Sequence, residues 1–276
     1  MLSADIDAPV LFTGRGGSGT RLLSEIAKSA GVFIGNRVNK SGDSLEWVEL
    51  IYRMASQAGG SHDLPSGSRY RQEIRAKAAQ ILDCALPRER PLWGLKLPEA
   101  MLVLPLLLDA MPRAKVVHLT RHPIASSLRR THMTSRVNNV VGRVALPAAY
   151  RYAQRDVARI ATDEPYMHNA CSWNFQVTRV ARFAREWLDH DRYLEIRYED
   201  LCAEPSRVVG LVRSLLGCAD SRAEPSVPVD PARSGGWDPR DPRTEVIWNL
   251  CGETGALLGY EREPEGLTSS PVSFDR

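Results

Sequence analysis

The stretch PVLFTGRGGSGTRLL, from Pro9 to Leu23, sets an apolar run ahead of a glycine cluster and an amphipathic pattern behind it. Read locally, this is a strand, a tight turn and the start of a helix. Successive backbone N–H groups at such a helix start, with the positive end of the helix dipole behind them, attract an anion. The hydroxyls of Ser18 and Thr20 add two donors to the same turn. The chemistry this spacing offers is the binding of a phosphate-bearing ligand.

Two ligand classes compete for the turn. Gly14, Gly16 and Gly19 satisfy the GxGxxG pattern of dinucleotide folds, which also needs an acidic residue about 20 positions on to hold the ribose. The second predicted strand runs instead into Gly35, Asn36 and Arg37, with no carboxylate before Asp43. An NADP-dependent oxidoreductase, with Arg37 on the 2′-phosphate, stays open as an alternative. The triphosphate-binding form GxxxxGK[ST] fails, because Arg21 follows Thr20 and no lysine comes after the last glycine.

Further reactive side chains stand at the ends of apolar runs. Lysine occurs only at positions 28, 40, 77, 96 and 115. Nearly all the positive charge is therefore arginine, whose planar fork suits phosphate or carboxylate. Lys96 closes one predicted strand and Arg121 another, where open sheets place their ligands. For Lys96, a side chain lying along the sheet edge is the competing reading. A general base is sought in GNRVNKSGDSLEW, where Asp43 and Glu46 are preferred. Helix capping by Asp43 or Ser44, with Glu46 in the first turn, explains them equally well. His118 alternates within a buried strand, His62 and His190 fall in exposed stretches, and His122, His132 and His168 are held in reserve.

The elements that must position these residues alternate along the chain. Strands are predicted at Val10–Thr13, Gly31–Gly35, Leu92–Lys96, Lys115–Thr120 and Tyr193–Tyr198. Helices are predicted at Thr20–Ala30, Ser44–Ala58, Arg69–Leu86, Pro98–Met111, Trp173–His190, Ser206–Leu216 and Arg243–Leu258. Strand alternating with helix implies an α/β fold with a central, mainly parallel sheet. One domain over residues 1–276 is expected, since no linker or repeat interrupts the pattern. With 36 basic against 33 acidic residues, net charge gives no argument for nucleic acid or membrane. Five scattered cysteines without metal spacing predict reduced thiols and no metal centre. The longest apolar run, from Met101, contains Pro105 and falls short of the roughly 20 residues of a spanning helix. With no basic leader region, the expectation is a cytoplasmic protein without a transmembrane segment.

The run GSGTRLL after a first strand resembles the 5′-phosphosulfate loop of sulfotransferases that use 3′-phosphoadenosine 5′-phosphosulfate. KVVHLTRHPIASSLRR is similar to that family's 3′-phosphate strand and helix, and YLEIRYEDLCAEP to its later strand and Tyr-Glu-Asp-Leu turn. SGGWDPR and LCGETGALLGYE resemble its C-terminal Gly-x-Trp and Leu-Gly-Tyr segments. The resemblance spans Val10 to Tyr260 and implies a P-loop-like sulfotransferase architecture, with a 5′-phosphosulfate loop at residues 14–21 and a 3′-phosphate segment at 115–130.

The resemblance implies a cofactor set of Gly16, Gly17, Ser18, Gly19, Thr20 and Arg21 for the 5′-phosphosulfate, and Arg121 for the 3′-phosphate. The family's loop carries lysine or arginine where Gly17 stands here, so Arg15 or Lys96 must supply that cation, with Lys96, in WGLKLPEA, preferred. A chain that binds the nucleotide without catalysis is the further alternative this glycine raises. The family's partner serine falls at Arg129, so Ser127, Ser126 or Arg129 itself must serve. Arg233 matches a basic residue of the closing loop, and Tyr198 is a candidate adenine contact. The implied reaction is in-line transfer of sulfonate to an acceptor hydroxyl of a saccharide, lipid-linked glycan or small metabolite. It leaves adenosine 3′,5′-bisphosphate and requires no metal. Between Arg121 and Arg159 eight arginines meet one acid, Asp156. Residues 131–170 are accordingly expected to form a basic cover over the site, although the helical spacing of Arg151, Arg155 and Arg159 also fits a solvated helix face.

Overall fold

A computed structural model describes residues 5–58, 68–84, 92–218 and 236–262. Among these residues the chain runs through β1 (Val10–Thr13), α1 (Arg21–Ser29), α2 (Val48–Ala58), α3 (Ser68–Asp83), β2 (Gly94–Lys96), α4 (Leu104–Ala110) and β3 (Lys115–Thr120). It continues through α5 (Pro123–Ser127), α6 (Gly142–Tyr152), α7 (Pro165–Trp187), β4 (Tyr193–Arg197), α8 (Tyr198–Ala203), α9 (Pro205–Leu216) and α10 (Pro242–Leu257). The four strands form one parallel sheet in the order β2-β1-β3-β4. β1 is buried along its whole length, as the apolar run VLFT requires of a central parallel strand covered on both faces.

Side chains alternate across the sheet and feed two cores. Leu11, Leu95 and Val116 join Trp47, Ile51, Ile74, Trp93 and Trp173 on one side. Phe12, Val117, Leu119 and Ile196 join Leu23, Ile26, Val208 and Val212 on the other. The chain leaves β1 for β2 on one flank and later returns to β3 on the other. The C-terminal end of β1 is therefore the point where the crossovers diverge, the usual ligand crevice of an open α/β sheet.

Several predicted elements take a different form. Gly31–Gly35 makes a single parallel bridge, Phe33 to Trp93, and no full strand. Ser44 fills the place a strand would take, its Oγ donating to Ile34 O at 2.6 Å and its N–H to Lys96 O at 2.8 Å. The predicted helix at 98–111 divides into a 3-10 turn, Pro98–Val103, and α4, because Pro105 brings no N–H to continue the first segment. α7 begins at Pro165, eight residues before the predicted start at Trp173, α6 falls where no helix is predicted, and α5 is the short helix that the resemblance implies after β3. Residues 131–170 hold two 3-10 turns, α6 and the start of α7, with Leu146, Ala149 and Tyr150 fully buried. Arg155 and Arg159 both pair with Asp163, at 2.9 and 3.2 Å.

The β1–β2 register leaves no room at Gly94, where a Cβ would stand 2.1 Å from Val10 O. Gly94→Ala is expected to destabilise the fold by about 1–3 kcal/mol, as overpacking does, and to lower Tm by several degrees. An unchanged Tm contradicts this register.

Candidate active site

β1 delivers the chain into the glycine turn, and each glycine there has a separate steric cause. A Cβ at Gly14 would stand 2.5 Å from Leu119 O, one at Gly16 2.0 Å from the His132 ring, and one at Gly19 2.4 Å from the Tyr198 ring. Gly17 and Gly19 also have φ of 93° and 91°, the left-handed region that favours glycine. The turn is thus pressed between β3, His132 and Tyr198. α1 begins directly behind it with no side-chain cap on Thr20 and no acid in its first turn, and of its leading N–H groups Leu22 donates to Gly19 O at 2.9 Å. Ser18 is fully buried and its Oγ has no hydrogen-bond partner. A buried hydroxyl of this kind beside uncapped helix amides fits an oxyanion.

Arg15 is buried beneath the same turn, 1% exposed. Its Nη2 donates to Asn169 Oδ1 at 2.7 Å and to Ser135 Oγ at 2.9 Å, and its Nη1 to Gly16 O at 3.2 Å. All three acceptors are neutral. Burial lowers its pKa to about 10, which leaves it charged at neutral pH. Nη1 lies 3.9 Å from the point where a side chain at Gly17 would begin, so the guanidinium occupies the neighbourhood of the position that lacks a cation.

Arg121, at the end of β3, is 3% exposed and lies 4.3 Å over the Tyr198 ring, whose edge faces Gly19. Burial lowers its pKa, and the Arg129 guanidinium adds to that shift. Ser126 and Ser127 are buried with unpartnered Oγ atoms on α5. Arg129 and Arg21 are exposed. Tyr198 is 5% exposed, which makes it a platform for Arg121 in this structure. Arg233 lies outside the described residues.

A second polar cluster surrounds the end of β2. Lys96 is buried, its Nζ donating to Asp43 Oδ1 at 2.6 Å and to Ser41 O at 2.9 Å. Burial lowers its pKa while Asp43 pulls it back up. Asp43 also accepts from Asn39 Nδ2. Glu46 is turned elsewhere: its Oε1 accepts the N–H groups of Asn36 and Arg37 at 2.8 and 2.7 Å, bracing the 35–37 loop. Glu99, 2% exposed, stands 4.0 Å from His132 Nε2 and hydrogen-bonds Tyr52. Burial pushes the Glu99 carboxyl up to about 7, with Asp43 adding and Lys96 opposing. Burial also depresses His132 to about 3, assisted by Arg15. His132 therefore rests neutral between the Gly16 turn and the one buried carboxyl of this cluster that titrates near neutrality.

Glu99, Ser135 and Asn169 are the site residues that sequence reasoning missed. Glu99 carried a readable signal, a lone acid in the apolar run LPEAMLVLP three residues after Lys96. Ser135 and Asn169 reach Arg15 across 120 and 154 residues of sequence, and no local pattern announces such a pairing.

The model of the Sulfotransferase family matches residues 9–221 of the chain. Among solved structures, the chain is similar to a sulfotransferase from Alicyclobacillus acidocaldarius, with 13% identity and TM-score 0.54 over 92% of this chain and 96% of that one. It is similar to a sulfotransferase from Mycobacterium avium, with 14% identity and TM-score 0.54 over 94% and 78%. The sulfotransferase domain of the olefin synthase from Synechococcus gives 16% identity and TM-score 0.50 over 95% and 97%. At these identities the likeness speaks for the fold alone. No curated protein matches the sequence.

The raised Glu99 carboxyl has a signed consequence for stability. A group whose folded pKa lies above its unfolded value stabilises most below that value, and the contribution is lost as pH rises through the folded pKa. Between the ordinary 4.5 and about 7, ionising Glu99 works against the fold. Glu99→Gln, measured by denaturant unfolding against the parent chain, is expected to gain up to about 3 kcal/mol relative stability across that window. A stability difference independent of pH contradicts the assignment.

Proposed function

Because the chain belongs to the sulfotransferase family, we propose that it transfers the sulfonate of 3′-phosphoadenosine 5′-phosphosulfate to an acceptor hydroxyl. The observation that carries this reading is the pairing of an uncapped helix start and an unpartnered Ser18 hydroxyl with a buried, uncompensated Arg15 at the point where the crossovers diverge. The amides of Gly17, Gly19 and Thr20 and the Ser18 hydroxyl would hold the 5′-phosphosulfate, the Ser18 N–H donating to Arg15 O at 3.0 Å, and Arg121, with Ser127 or Ser126, the 3′-phosphate. Bound there, the nucleotide supplies an activated sulfonate on a phosphate leaving group.

The residues divide the remaining work by their charge state. Arg15, held by neutral acceptors, stands in for the missing cation at Gly17 and faces the charge that grows on the leaving group. Lys96 shares its charge with Asp43 and is the weaker of the two candidates for that role. Glu99, near 7, accepts the proton of the attacking hydroxyl, since a base is most effective when its pKa lies near the working pH. His132 keeps Glu99 beside the turn without competing for its proton. The Lys-x-Pro segment, which resembles that of glycan-modifying sulfotransferases, favours a saccharide or lipid-linked glycan over a small phenol.

Steady-state transfer of labelled sulfonate to candidate acceptors tests these roles. kcat/KM is expected to rise with pH and level off above about 7. Glu99→Gln should remove that limb and lower kcat roughly 10²- to 10⁴-fold. Arg15→Ala should cost about 10²- to 10³-fold in kcat, more than Lys96→Ala. Intact transfer in Arg15→Ala with loss in Lys96→Ala reassigns the cation, and an unchanged pH limb in Glu99→Gln removes the base.

A further inference from the structure

The candidate site draws on residues scattered over most of the chain, yet one helix face ties its two phosphate arms together. Asn169 and Trp173 stand four residues apart on α7 and are both fully buried, which places them one above the other on a single face. Trp173 Nε1 donates to Arg121 O at 3.0 Å. Asn169 Oδ1 accepts from Arg15 Nη2 at 2.7 Å, while its Nδ2 donates to Ser127 O at 3.0 Å and Arg129 O at 2.9 Å. The amide thus spends both donor hydrogens on the turn after α5 and its acceptor on the glycine turn. The geometry points to Asn169 as a positioning residue that locks residues 14–20 to the 127–129 turn and holds Arg15 through a neutral acceptor, leaving the guanidinium's charge uncompensated for an anion. The inference rests on the cofactor reading above for the identity of that anion, and on the hydrogen bonds alone for the lock.

The residue type follows from both demands. Aspartate would take the same bond to Arg15 but cancel its charge, and would turn lone pairs instead of hydrogens toward two carbonyl oxygens. Alanine would leave those carbonyls and one guanidinium N–H buried without partners. Only a neutral group with one acceptor and two donors serves all three contacts.

The test pairs Asn169→Asp, which is nearly isosteric, with Asn169→Ala. Hydrogen exchange of the nucleotide-free protein is expected to quicken in residues 14–20 and in residues 127–135 together in Asn169→Ala. Quickening in one segment alone, or in neither, overturns the lock. Calorimetry with adenosine 5′-phosphate and adenosine 3′-phosphate as separate probes should show both weakened roughly tenfold in Asn169→Ala, the scale of a lost hydrogen bond to a charged group. In Asn169→Asp the loss should be larger for the 5′-phosphate, and equal affinity for it overturns the uncompensated-charge claim. If the parent chain binds neither probe, the cofactor reading fails, and the exchange measurement still decides the lock.

Discussion

A guanidinium buried without a carboxylate is the constraint around which the site is arranged. Desolvating a charge is costly, and proteins ordinarily answer with an opposite charge. Arg15 is answered with an asparagine, a serine and a backbone carbonyl. These hold its two Nη groups, leave its buried Nε without a partner and set no opposite charge against it. Ser135 and Asn169 must therefore be brought to β1 from distant segments. Ser135 ends the 3-10 turn Met133–Ser135, which packs on α6 and α7, and Asn169 lies on α7, whose buried face shares one core with Leu11 of β1.

The same logic separates the two polar clusters. At the turn, Arg15 faces neutral acceptors, and Arg121 lies over an aromatic ring. At the end of β2, Lys96 is matched by Asp43, and Glu99 stays largely protonated below neutrality because burial penalises its charge. His132 spans the boundary, packed on Gly16 and 4.0 Å from Glu99. The proposed anion site and the proposed base thus lie side by side, each in a different dielectric and charge environment.

Most of the scaffold was legible because it is written in local patterns. The apolar run at Val10–Thr13, the glycine spacing behind it, and Lys96 and Arg121 at strand ends are all short-range signals, and a parallel sheet places such ends along one edge. Gly31–Gly35 misled because its apolar alternation is real, while Ser44, ten residues beyond Ile34, takes the hydrogen bonds a strand partner would have used. Glu46 reads as a base by its position after a strand and serves instead as a loop brace. Asn169 was hidden for another reason. Its helix begins earlier than the apolar periodicity indicates, and its role is set by contacts to residues 42 and 154 positions away.

Thermal unfolding with adenosine 3′,5′-bisphosphate, against NADP and ATP at equal concentration, tests the central claim most directly. A ligand at about 100 times its Kd adds roughly 2.7 kcal/mol to the folded state, enough to raise Tm by several degrees. The account predicts that rise with the bisphosphate and none of comparable size with NADP. A rise with NADP and none with the bisphosphate would return the glycine turn to dinucleotide binding and contradict the account.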